Sequence, residues 1–157
     1  MCYHRINRVN EKGEFIQKRE HTDKIKVLSQ KEIFHISIPT LAIMYRNCLK
    51  DIPREIIEAQ CGDAFLRGML ASYGKAANLG FVGAHYRQHS GGFYSSKTTV
   101  EQFLFSLSAR KQMNRSDYFN HLQKKEIRKE YFERKFQYLY YFLRKRKLKS
   151  FFKILSH

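Results

Sequence analysis

A chain of 157 residues with 43% hydrophobic composition is long enough to bury a core, which excludes a disordered tail. Thirty Lys and Arg against fourteen Asp and Glu give a formal charge of +16, which calls for an anionic partner or neighbouring surface: nucleic acid, phospholipid head groups or a phosphorylated substrate. Three cysteines without Cys-x-x-Cys spacing argue against a disulfide framework or a zinc knuckle and favour a cytoplasmic compartment, while no apolar run suits a secretion signal or reaches the ~18 residues of a spanning helix.

Taken in chain order, the opening residues predict a short strand through Cys2 and Tyr3, then a turn at "NEKGE" in which Gly13 supplies a positive φ. Polar residues 17–30 lead into "KEIFHISIPTLAIMYRN". There Ile33, Phe34, Ile36, Ile38, Leu41, Ile43 and Met44 read as a mostly buried β-rich stretch broken at Pro39. From Asp63 the spacing of Leu66, Met69, Leu70 and Tyr73 predicts a helix of about three turns, closed by Gly74. "ANLGFVGAHYR" reads as a short strand ending in the loop "QHSGGFYSS", after which Thr98 or Thr99 caps a helix through Phe103, Leu104 and Leu107. Beyond Ser116, Phe132, Phe136, Leu139 and Leu143 recur at helical spacing. Leu148, Phe151, Phe152 and Leu155 continue after "RKRK". Fifteen Lys and Arg against four Asp and Glu between Arg110 and the end carry most of the net charge.

Asp63 is the residue with the most chemical promise. A carboxylate at a helix N-terminus is held ionised by the helix dipole and can accept a proton, although an acid there is also an ordinary cap. In the loop at Tyr86, His89 reads on the residues alone as bonded to its own loop backbone. His85 reads as structural. Arg46 and Asn47 read either as a strand end with local pairing or as substrate contacts.

"IPTLAIMYRN" followed by "CGDAFLRGMLASYGKAANLGFVGAHYRQHSGGFYS" resembles the C-terminal half of bacterial family 2 glycosyltransferases with the GT-A fold. The match runs over roughly residues 1–96. Met44, Tyr45, Arg46 and Asn47 match a strand-end pattern of that family, Gly62 and Asp63 match the pair that opens its acceptor-side helix, and Tyr86, Arg87, His89, Gly91 and Gly92 match its Tyr-Arg-x-His-x-Gly-Gly loop. The implied fold is α/β: part of a GT-A sheet with its acceptor-side helix over residues 1–97, followed by a basic helical extension over 98–157.

The implied activity is inverting transfer of a sugar from a nucleotide-sugar donor to a hydroxyl on a lipid-linked or saccharide acceptor, in cell-surface polysaccharide or glycolipid synthesis. By the resemblance Asp63 is the general base, Arg87, His89, Gly91 and Gly92 lie at the donor diphosphate, and Gly62 and Tyr94 lie on the acceptor side. A divalent metal, Mg or Mn, is implied with His89 as its candidate ligand here. Tyr94 stands where many relatives carry Trp, which alters any stacking of sugar there.

The family's nucleotide-binding half and its Asp-x-Asp metal motif have no counterpart in this sequence. The expectation is therefore a partial enzyme, inactive or barely active alone: a truncated gene product, a fragment from a broken reading frame, or one half of a split enzyme with a separate N-terminal half. The basic C-terminal region leaves two structural readings open: a helical hairpin packed on the catalytic core with a solvated basic face, or an interfacial helix with Phe and Leu faces beside Lys and Arg at the inner face of the plasma membrane. A nucleic-acid-binding module and an inactive scaffold are the alternatives to the enzyme, the former resting on Tyr and Phe interleaved with Lys and Arg in "KEYFERKFQYLYYFLRKRK".

Overall fold

The computed structural model describes all of residues 1–157, which form two compact units, Met1–Lys50 with Leu70–Lys97 and Asp51–Met69 with Thr98–His157. With 47% helix and 18% strand the chain is mixed α/β, the class expected from the sequence. Residues 51–69 group with the C-terminal helices rather than with the strands that flank them in sequence.

The first unit is built on an open, curled mixed sheet. Its strands are β1 (Cys2–Val9), β2 (Phe15–Gln17), β3 (Lys26–Leu28), β4 (Ile43–Met44) and β5 (Ala76–Arg87). The order is β2-β1-β5-β3, with β1 and β5 parallel, β3 antiparallel to β5, and β4 antiparallel to the start of β1. The turn between β1 and β2 follows its sequence. Gly13 has φ 87°, and the Asn10 side-chain oxygen accepts from the N–H groups of Lys12 and Glu14.

Strand β1 is longer than the short strand expected, because the parallel register with β5 runs from Cys2↔Ala77 to Val9↔Arg87. That register slips on either side of Arg5. Opposite the slip Gly80 takes φ 79°, a left-handed bulge conformation, and the loop before β3 passes so close that a Cβ there would meet the carbonyl oxygens of Thr22 and Lys24.

The expected β-rich stretch at 31–44 is corrected. It forms helix α1 (Gln30–His35), a 3-10 turn over Thr40–Ala42 and only two residues of strand, β4. A capping box decides it: Ser29 Oγ accepts from Glu32 N, and Glu32 Oε2 accepts from Ser29 N at 2.8 Å. Ile33, Phe34 and Ile38 are buried as expected, and Ala42 with them, but Leu41 and Met44 are exposed.

The second unit holds α2 (Glu55–Glu58), most of α3 (Gly62–Tyr73), α4 (Thr99–Arg115), α5 (His121–Arg144) and α6 (Leu148–Leu155). Helix α4 starts at Thr98 with a capping box to Glu101, and α5 starts at Asn120 with one to Gln123. Helices α4, α5 and α6 close on Leu107, Phe142 and Ile154, with Phe103 stacked on Tyr138 at 3.8 Å between ring centroids. Each fully buried aliphatic or aromatic side chain here contributes about 1.5–3 kcal/mol.

The apolar residues whose spacing marks α5 in the sequence largely point outward. Phe132, Phe136 and Leu143 are exposed, whereas Ile127 and Phe142 are buried, with Tyr131 and Tyr138 packed against the core.

Candidate functional site

Parallel strands place their carboxyl ends side by side, and open α/β sheets bind ligands at such ends. Here β1 and β5 end together at Val9 and Arg87, and the segments that follow them are tied to each other. Gln88 N donates to Val9 O at 2.8 Å. Ser90 donates to Glu11 Oε1 from its N–H at 2.8 Å and from its hydroxyl at 3.1 Å. These two Ser90 hydrogen bonds, assisted by the nearby His89, hold the Glu11 carboxyl below its ordinary pKa.

The loop itself winds through successive turns from Thr98 back to His89. The His89 carbonyl accepts from Gly92 N at 3.1 Å and from Ser95 Oγ, and Gly92 O accepts from Ser96 N at 2.9 Å. A Cβ on Gly91 would lie 3.5 Å from His89 Nδ1, and one on Gly92 would lie 3.3 Å from the His89 carbonyl and 3.6 Å from Nε2. The glycines therefore lie close under the His89 ring and carbonyl. Arg87 and His89 are exposed, and the Arg87 guanidinium engages no other side chain. Tyr94 and Phe93 are exposed farther along, with Lys97 Nζ 5.9 Å from the Phe93 ring centroid. Sequence reading thus brought Arg87, His89, Gly91, Gly92 and Tyr94 into one loop and missed its anchor, Glu11, whose role follows only from strand register.

His85 Nε2 accepts from Asn7 Nδ2 at 3.3 Å, and its ring meets Phe15 edge-on at 5.3 Å. Arg46 and Asn47 are exposed beyond β4.

Gly62 and Asp63 open α3, in the second unit. Asp63 lies inside the first turn rather than before it, is half-buried, and its carboxylate accepts no hydrogen bond from the chain. It is thus not the helix cap. One turn later Arg67 is buried. Burial, with Arg110 nearby, pushes its pKa down to about 10 against the opposing fields of Cys61 and Asp63. Phe65 packs on Phe119 at 5.5 Å between centroids, which fixes this end of the helix among apolar side chains.

The loop is a poor home for a hard divalent cation. Magnesium wants about six oxygen ligands. His89 offers one imidazole, and the neighbouring carboxylate, Glu11, is already committed to Ser90. The metal implied by the resemblance does not fit the residues of this loop, whose one exposed guanidinium, Arg87, engages no other side chain.

Compared with protein-family models, with curated proteins and with solved structures, the chain matches none.

Proposed function

We propose that this chain is the acceptor-side part of an inverting, nucleotide-sugar-dependent glycosyltransferase. The observation that carries the reading is Asp63: a half-buried carboxylate in the first turn of a helix, unclaimed by any hydrogen bond, within the Gly-Asp pair that opens it. An acid in that position is available to a ligand, whereas a cap would be occupied by backbone N–H groups.

In the proposed reaction Asp63 takes the proton from an acceptor hydroxyl as its oxygen attacks the anomeric carbon of the donor. The new C–O bond forms on the face opposite the breaking bond to diphosphate, and the electron pair leaves with the diphosphate. By the family motif alone, Arg87 with Gly91 and Gly92 is the segment that would serve a leaving diphosphate, through charge-assisted hydrogen bonds and close backbone approach. Because the sequence contains no Asp-x-Asp, donor and metal are held by a further polypeptide segment, and this chain by itself is inactive or nearly so.

The test is complementation in solution. The chain is combined with the nucleotide-binding half of a family 2 glycosyltransferase, and transfer from labelled nucleotide-sugars to saccharide acceptors is followed. Asp63→Asn is expected to lower transfer at least ~100-fold with an unchanged melting temperature. Equal rates for the two forms remove Asp63 as the base, and with it the reading.

A further inference from the structure

We propose that the outward face of α5 docks on the surface of an anionic lipid bilayer. The inward face of this helix carries Ile127, Glu130 and Phe142. On the opposite side, Leu122 is 72% exposed and Phe136 71%, and Phe132, Tyr140 and Leu143 are each more than half exposed. At ~100° per residue these five side chains, with Lys125 and Lys129 between them, fall within an arc of about 80° centred away from the core. The stripe from Leu122 to Leu143 is roughly 32 Å long. Its apolar residues run without a break from Phe132 to Leu143, with Leu122 set apart by the two lysines, on a helix that has already satisfied its core with other residues.

The charge around the stripe selects the occupant. Twelve Lys and Arg against three Glu lie between His121 and the C-terminal residue His157, including the run Arg144–Lys147 that follows the stripe directly. Of the acids flanking it, Glu126 and Glu133, the latter is 3.7 Å from Lys129. A second copy of the chain would set this positive surface against itself. Nucleic acid would neutralise the charge, but Phe132, Phe136 and Tyr140 rise ~6 Å apart along the helix, too far for successive bases stacked at ~3.4 Å, and phosphates offer nothing to Leu122 and Leu143.

An anionic bilayer satisfies both features: Phe and Leu enter the head-group boundary while the lysine stems reach outward to the phosphates. Helix α6 continues the pattern with exposed Leu148 and Phe152 beside Lys149 and Lys153. No helix is long and apolar enough to cross a membrane, so the docking is to the surface.

The experiment is co-sedimentation of the full chain with vesicles of phosphatidylcholine alone and with about 30% phosphatidylglycerol, at two salt concentrations. Binding is expected to the anionic vesicles, to weaken with salt, and to be negligible on neutral ones. Phe132→Ser/Phe136→Ser is expected to bind at least tenfold more weakly, and Lys125→Gln or Lys129→Gln about fivefold each. Neither Phe is in the core, so thermal unfolding of the double variant should match wild type. A large drop in its melting temperature would show the stripe to be packed and overturn the proposal. So would equal binding to neutral vesicles, wild-type vesicle binding by the Phe variant, dimerisation lost in that variant, or single-stranded DNA binding tighter than vesicle binding and dependent on the same two Phe.

Discussion

Replacing Glu130 by Gln tests how the second unit tolerates buried charge. Glu130 and Arg110 are 6% and 5% exposed at their side chains, with Arg110 Nη2 at 3.3 Å from Glu130 Oε1 and Arg134 Nε donating to the same oxygen. Burial, then Arg134, lowers the Arg110 pKa, and Glu130 is the strongest opposing field. At 3.3 Å and an effective dielectric of ~20 one such charge pair amounts to about 5 kcal/mol. Glutamine keeps the shape and an acceptor oxygen but leaves the buried guanidinium of Arg110 without that counter-charge, so the expected loss is about 3–5 kcal/mol. For a chain of this size that lowers the melting temperature by roughly 10 °C.

Urea denaturation followed by circular dichroism at neutral pH measures the loss. Asp117→Asn is the control, since its partner Lys124 lies 3.6 Å away but the carboxylate is fully exposed, and it should unfold like wild type. Glu130→Leu combined with Arg110→Met should regain most of the loss by removing both charges together. A change under about 1 kcal/mol for Glu130→Gln would mean that water reaches the site and would refute the reasoning.

Three further outcomes follow from the same structure. Gly80→Ala should destabilise by about 2 kcal/mol or more, measured by denaturation, because φ 79° is strained for alanine and its Cβ would sit 2.8 Å from the Lys24 carbonyl oxygen; an unchanged midpoint would show that the bulge relaxes freely. Thr98→Ala should cost about 1 kcal/mol by loss of the capping box, and Thr98→Ser should restore it. Because the folded pKa of Glu11 is depressed, its contribution to loop order is present above the unfolded value of ~4.3 and is lost as pH falls through the lower folded value. The Ser90 amide resonance should therefore titrate with a midpoint below ~4.3 and lose that titration in Glu11→Gln; a midpoint at or above the unfolded value would sink the assignment.

Several elements could be read directly from the chain because their causes are local. The spacing of Met69 and Leu70 with their neighbours made α3 visible, Thr98 or Thr99 marked the start of α4, with the capping box to Glu101 settling on Thr98, and Gly13 marked the first turn. The run from Ile33 to Met44 misled because its apolar residues alternate like a strand, while Ser29 and Glu32 just upstream hold the helix-start signal that outweighs the pattern. For the candidate site, the loop from Arg87 to Tyr94 is contiguous and so was legible. Glu11 was not, since only the parallel register of β1 and β5 brings it to Ser90.

The sequence by itself determined where the helices of the basic region lie, because periodicity is a property of neighbours along the chain. It could not determine which side of α5 turns inward. Two stripes share the helical period, one through Ile127, Tyr131, Tyr138 and Phe142 and one through Leu122, Phe132, Phe136 and Leu143, and both are rich in apolar side chains. Packing against Leu107 and Ile154 of the adjoining helices chose the first, and the Arg110–Glu130 pair went inside with it. That choice depends on partners distant in sequence, and it is what left a line of phenylalanine and leucine on a positively charged surface.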